Sequence, residues 1–127
     1  MSSIVERLKE DYARFPEDQT YSLYAEEVKF KDPLNSFSGV DRYRQMIGFI
    51  ARFFNNVEMD LHEIEQSSPS LITMEWTLHM SPPVPWSARL SIPGHTELGL
   101  NSAGLIDSHV DYWHCSRLDV LKQVFSQ

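Results

Sequence analysis

The sequence predicts an α+β domain in which a curved antiparallel sheet wraps around N-terminal helices. Three observations carry this reading. Helical periodicity is confined to residues 3–55 and a short closing segment, whereas a period-two alternation fills 57–114. Between them, an Asp32-Pro33…Gly39 turn joins a short strand to the strongest helix. No repeat, low-complexity tract or linker interrupts the chain, so residues 1–127 are read as one domain.

Taken in order, Ile4, Val5, Leu8, Tyr12 and Phe15 recur near helical spacing and predict a helix over 3–14, stopped by Pro16. A second short helix is expected over 17–26, with Tyr21, Leu23 and Tyr24 as its apolar surface. Residues 28–32 predict a short strand, which Pro33 ends by removing a backbone donor and fixing φ, leaving Asp32 at the strand end. A helix over 40–55 follows, with Tyr43, Met46, Ile47, Ile50, Phe53 and Phe54 on one wide face and Arg42, Arg44 and Arg52 outside it.

After Asn55-Asn56 the period becomes two: Val57, Met59 and Leu61 alternate with Glu58, Asp60 and His62. Beyond a turn at 67–70, Ile72, Met74, Trp76, Leu78 and Met80 alternate with Thr73, Glu75, Thr77 and His79. The proline-stiffened stretch 81–85 is a loop, and Trp86 beside it is assigned to a rim or an interface. A strand over 87–100 carries Leu90, Ile92, Leu98 and Leu100 in one phase, with a bulge or bend expected at Pro93-Gly94. Residues 101–104 form a hairpin turn and 105–114 the last strand. Ser116 is expected to cap a closing helix, with Asp119 in a capping-box-like position and Leu118, Leu121, Val124 and Phe125 packing back.

Composition narrows the function classes. A hydrophobic share of 42% fits a folded globular chain, and 11 basic against 18 acidic residues give a net charge of −7. That balance disfavours phosphate backbones and anionic bilayers, so neither nucleic acid nor membrane is expected as a partner. No apolar run approaches the ~20 residues of a membrane span. The charged N-terminal segment lacks an apolar signal core, and the single Cys115 forms no internal disulfide, so a cytoplasmic location is expected, or an organellar one after removal of a transit peptide.

The element order, the Asp32-Pro33…Gly39 turn and the ending Gly104-Leu105-Ile106…Tyr112-Trp113 resemble the nuclear-transport-factor-2-like cone fold. That superfamily includes ketosteroid isomerase, scytalone dehydratase and the SnoaL-like polyketide cyclases. More narrowly, the stretch from Phe30 to Tyr43, Glu75-Trp76-Thr77-Leu78 and the stretch from Asp111 to Leu121 resemble a domain family of cyanobacteria, plants and other eukaryotes with no established reaction. The resemblance implies a cone-shaped sheet around a pocket. In the isomerases the Asp of the matching Asp-Pro is the general base, which implies that role for Asp32. Their phenol-bearing helix position falls on Leu8, with Tyr12 one turn further, and their second acid falls on Thr96. A Leu and a Thr do not rebuild that oxyanion hole, so steroid isomerisation itself is not expected.

His109, Asp111 and Trp113 share one strand phase, which matches the pocket-facing phase of the superfamily. The opposite register would turn Ser108, Val110 and Tyr112 inward. In the first register Asp32, His109 and Asp111 form a catalytic set, with Asp32 as base and His109 or Asp111 as acid or orienting group. Tyr12, Tyr24, Trp76, Thr96 and Trp113 are the expected ligand contacts. Asp32 has a purely structural alternative as an Asx-turn cap, and His109 as an ordinary hydrogen-bonded half-buried histidine.

No metal or cofactor is expected. His95, His109, His114 and Cys115 fit no ligand spacing, and a solitary Cys is usually a packing residue. The expected function is a pocket for a small apolar molecule, with proton transfer of isomerase, cyclase or dehydratase type as its enzymatic form. The alternative is a non-catalytic interaction or dimerisation domain. It would use the outer sheet face, where Thr73, Glu75, Thr77, His79, Arg89 and Ser91 could pair two copies as a homodimer. A deep cavity on which Asp32 and His109 converge favours the first reading.

Overall fold

The computed structural model describes residues 3–85, 89–116, 119, 120 and 122. Helix α1 (Ile4–Ala13) starts where Ser3 Oγ accepts the Glu6 N–H at 3.2 Å, which satisfies one of the donors a helix start leaves unpaired. After a single 3-10 turn (Tyr21–Leu23) come strands β1 (Tyr24–Lys31) and β2 (Ser36–Ser38) and helix α2 (Val40–Phe53). Strands β3 (Asn55–Ser68), β4 (Leu71–Ser81), β5 (Leu90–Leu100) and β6 (Ile106–Trp113) complete one six-stranded sheet of order β2-β1-β6-β5-β4-β3. Four pairings are antiparallel, and β1 runs parallel to β6. Between β1 and β6 the chain passes through β2, α2 and β3 to β5, and that long connection allows the parallel pair.

Even-numbered residues of β4 and β5 point to the helices: Ile72, Met74, Trp76, Leu90, Ile92 and Leu98 are buried together with Leu8 and Tyr12 of α1 and Tyr43 and Ile47 of α2. Gly39 takes φ 110° immediately before α2, a conformation that disfavours any side chain.

Three expectations change. Residues 17–26 are not a helix. Thr20 gives its N–H and its hydroxyl to the Asp11 carboxylate at 2.9 and 2.8 Å instead of to a helical turn, and Tyr24 pairs with Ile106 in the sheet. Tertiary contacts outweigh the local pattern there. The second change is at Pro93-Gly94, where the β4–β5 register runs unbroken from Leu71–Gly99 to Met80–Leu90; Gly94 serves a close approach instead. The third is β3, which is much longer than its alternating stretch suggested. Trp86 and the apolar residues Leu118, Leu121, Val124 and Phe125 of the expected closing helix lie outside the described residues. The reciprocal bonds between Ser116 and Asp119, at 3.0 and 3.1 Å, are present.

Asp11 is 3% exposed and accepts three hydrogen bonds, from Thr20 N–H, the Thr20 hydroxyl and Arg14. Asp11→Ala would leave the Thr20 groups without their acceptor. Because the Arg14 side chain is 39% exposed, most of its charge is returned to water, and the expected loss is about 2 kcal/mol. Urea denaturation checks this.

Candidate functional site

The concave face of the sheet and the inner faces of α1 and α2 enclose a cavity of about 440 Å³. Most of its wall is apolar, with Phe30, Met46, Ile47, Leu78, Leu90 and Ile92 among the lining residues, and its polar groups include Tyr12, Tyr43, Asp32, His109 and Asp111. Leu34 and Phe49, both more than half-exposed or nearly so, belong to the same lining and form an apolar lip. A larger hollow of about 600 Å³ beside α1 and β3 is a more open surface groove lined by Lys9, Ala13 and residues 59–64. The enclosed cavity, typical in size of a ligand site, holds the candidate chemistry.

Strand geometry delivers the imidazole. Leu100 pairs with Ile106, but Gly99 pairs with Ser108, so β6 carries one extra residue at Asp107. That bulge lets Ile106 and His109, three residues apart, both turn inward. From His109 on, normal alternation puts Asp111 and Trp113 on the same side, and both line the cavity.

His109 is 2% exposed, with its ring centroid 4.9 Å from Phe30 and 5.3 Å from Tyr43, and Tyr24 stacked at 6.3 Å. Its Nε2 lies 2.9 Å from Asp111 Oδ1. The same oxygen accepts the Thr96 hydroxyl at 2.5 Å, and Thr96 Oγ1 accepts the Trp76 indole N–H at 2.7 Å. A carboxylate only accepts, so the proton of this pair sits on Nε2, which leaves Nδ1 as the ring's other nitrogen. That Nδ1 is the one buried side-chain polar atom without a partner among the described residues. Asp111 is thus clamped through Oδ1, while Oδ2 carries no hydrogen bond among the described residues.

Asp32 lines the same cavity, but its Oδ1 accepts the N–H groups of Leu34 and Asn35 at 2.8 and 2.6 Å and the Asn35 side-chain amide at 3.2 Å, and that amide also reaches Oδ2 at 3.3 Å. It closes the turn before β2. Of the expected ligand contacts, Tyr12, Trp76 and Trp113 line the cavity. Tyr24 and Thr96 do not: Tyr24 lies beside His109 with its hydroxyl 3.4 Å from that of Tyr43, and Thr96 is fully buried and bonded to Asp111. Phe30 and Tyr43, which flank the imidazole, were missed as site residues. Their signal was present, since Tyr43 sits on the apolar face of α2 and Phe30 two residues before Asp32 in the same strand phase.

Burial raises the phenols of Tyr12 and Tyr43 well above their ordinary range and raises Tyr24 too. For Tyr12 the Asp111 charge adds to the rise, while the Thr96 hydroxyl opposes it. All three remain neutral donors at physiological pH. A raised folded pKa means that the fold holds protons the unfolded chain releases, so this stability is complete below pH ~10 and falls as pH rises further. The three phenols together predict a loss approaching about 4 kcal/mol per pH unit above that point. Denaturation midpoints measured on either side of pH ~10, with ultraviolet titration of the phenols, check it.

On the outer face, His95 Nδ1 lies 2.8 Å from His114 Nε2, and among the described residues no group of three or more His, Cys, Asp or Glu is arranged to hold a metal ion. Burial and the neighbouring Asp119 push the Cys115 thiol up, away from a reactive thiolate.

Comparison with known proteins identifies the fold. Solved structures of low identity superpose over most of the chain. A protein from Jannaschia sp. CCS1 assigned as a SnoaL-like polyketide cyclase matches with a TM-score of 0.76 and 10% identity, covering 100% of this chain and 98% of that one. An LEH-like epoxide hydrolase of M. tuberculosis matches with a TM-score of 0.72 and 12% identity over 94% and 87%. A Catenulispora acidiphila protein of ketosteroid isomerase-like fold, solved in complex with trimethylamine, matches with a TM-score of 0.69 and 18% identity over 82% and 78%. The fold is therefore the NTF2-like α+β cone. The curated proteins contain no match to the sequence. Residues 2–109 match the family described as uncharacterized conserved protein (DUF2358), and this chain belongs to that family.

Proposed function

We propose that the protein binds a small, mostly apolar molecule in the cone and that Asp111 is its polar anchor. The observation that carries this is a carboxylate fixed by two donors on one oxygen and open on the other, set in an apolar cavity of about 440 Å³. The complex of a protein of this fold with trimethylamine supports the binding of a small molecule.

In its enzymatic form the site moves a proton. Asp111 Oδ2 takes it from an acidified C–H, the electron pair left on the substrate is met by a neutral phenol such as that of Tyr12, and Asp111 returns the proton at another carbon. The resemblance gave the base to Asp32, but that carboxylate spends both oxygens on its own turn, whereas Asp111 keeps Oδ2 open among the described residues, so Asp111 is the better placed base and Asp32 a second carboxylate at the cavity wall. His109 and Thr96 orient Asp111.

Trp76 and Trp113 line the cavity and report on its contents. Titration with a panel of small apolar molecules is expected to change tryptophan fluorescence and raise the melting temperature for at least one of them. A panel that leaves both unchanged refutes the pocket reading.

The outer face supports a second, compatible reading as a contact between two copies. Most of its polar groups already pair within the chain: Asp60–His79 and His79–Ser91 at 2.9 Å, and Glu58–Arg89 at 3.0 Å. Tyr112, 42% exposed and stacked on His95 at 4.7 Å, is an apolar spot among them. Light scattering is expected to give twice the chain mass; a concentration-independent monomer mass contradicts this.

A further inference from the structure

The cavity is uneven in charge as well as in polarity. Among the described residues its lining includes two carboxylates, Asp32 and Asp111, and one imidazole, but no Lys or Arg. Both carboxylates, with Lys31 and Trp113, also line a cleft beside the ends of β1 and β6. Within the cavity itself the fixed charge is negative where the ligand's polar end would sit, with an aromatic ring beside it.

A second observation asks for the same chemistry. His109 is 97% buried in side-chain terms, its Nε2 proton is committed to Asp111, and its Nδ1 has no hydrogen-bond partner among the described residues. Asp111 Oδ2 is an acceptor without a donor among the described residues. Most donors in the wall are committed. Trp76 gives its N–H to Thr96, Thr96 gives its proton to Asp111, and the Tyr24 and Tyr43 hydroxyls face each other at 3.4 Å, which leaves the Tyr12 phenol as a donor in the lining. Beside that phenol the polar end of the site presents an open carboxylate oxygen, an unpartnered ring nitrogen and net negative charge.

We infer that the ligand of this cavity has an apolar body and a hydrogen-bond-donating head, either a protonated amine or a hydroxyl, and that carboxylate- or phosphate-headed molecules of the same body are rejected. This inference rests on the pocket reading above and adds the ligand's head-group class to it. An amine fits both conditions, since a cation beside Asp111 and Asp32 gains charge attraction and can sit over the Trp113 ring. An anion would bring a third negative charge into a low-dielectric wall beside Asp111 and Asp32.

The test uses three probes with one apolar body: 1-adamantylamine, 1-adamantanol and 1-adamantanecarboxylate. Each is titrated into the full chain at neutral pH and physiological salt by calorimetry and tryptophan fluorescence. The expected result is one site per chain for the amine and the alcohol, with the carboxylate at least ten-fold weaker than the amine. The His109 imidazole nitrogen signals should shift on amine binding, which separates the cavity from attraction to the acidic surface. Asp111→Asn should reduce the amine-to-carboxylate ratio several-fold. Asp32→Asn, at the partly exposed end, should reduce it less and provides a second variant if the first does not fold. Equal binding of amine and carboxylate, or amine binding that leaves His109 unmoved, overturns the charge inference while leaving the pocket intact. Binding of the carboxylate alone also overturns it. If none of the three binds, the pocket reading itself fails and this inference falls with it.

Discussion

Gly94→Ala is expected to destabilise the protein by about 3 kcal/mol or more, the upper range for overpacking. A methyl group built on Gly94 would lie 2.5 Å from the Tyr112 carbonyl oxygen and 2.7 Å from the Trp76 ring. The first neighbour is backbone of β6, held by the Gly94–Trp113 and His95–Tyr112 pairings, and cannot swing aside as a side-chain tip would. The second is the indole whose N–H bonds to Thr96. Relief on either side moves an element of the Trp76–Thr96–Asp111 chain, so ligand affinity should fall together with stability. Denaturant midpoints of the variant and the parent measure the loss. A variant as stable as the parent would mean that β5 and β6 separate more easily than their pairing implies.

Asp111→Asn is expected to have the largest effect on function. Asn keeps the size and one carbonyl oxygen, which still accepts from His109 and Thr96, so the fold should change by no more than about 1 kcal/mol. The open oxygen becomes an amide donor without charge. Loss of a charge-assisted bond of about 1.5–3 kcal/mol corresponds to a ten- to hundred-fold weaker complex with a donor-headed ligand. Any proton-transfer turnover should fall by about 10² or more, the usual contribution of a general base. Asp32→Asn provides the contrast. It weakens the bonds that close the turn before β2, costing about 1 kcal/mol as a lost cap does, with a smaller effect on binding. If instead Asp32→Asn abolishes turnover and Asp111→Asn does not, the base is Asp32 and the resemblance to the isomerases extends to mechanism.

Much of the cone was legible because the chain changes period once, at Asn55-Asn56, from helical recurrence to strand alternation. Tyr43 and Ile47 on α2, and Met74 and Trp76 on β4, bury the faces their spacing indicated. The region before β1 was not legible, because Asp11, nine residues upstream, takes both donors of Thr20. No local pattern announces a carboxylate that acts across such a gap. Likewise, parity placed His109, Asp111 and Trp113 on one face, but the bulge at Asp107 that also turns Ile106 inward depends on the pairing with β5. The division of labour between the two carboxylates was the least legible feature. Both sit at strand positions that can face a cavity, and only the three-dimensional structure separates Asp32, whose two oxygens bind its own turn, from Asp111, whose Oδ1 binds Thr96 and His109 while Oδ2 stays open among the described residues.

That separation is the centre of the account, and carboxylate NMR of isotope-labelled protein tests it most directly. Saturation with a bound amine or alcohol is predicted to shift the Asp111 side-chain carboxyl signal strongly and the His109 ring signals with it, while Asp32 moves little. A shift confined to Asp32, or one at surface carboxylates with Asp111 and His109 unmoved, would contradict it.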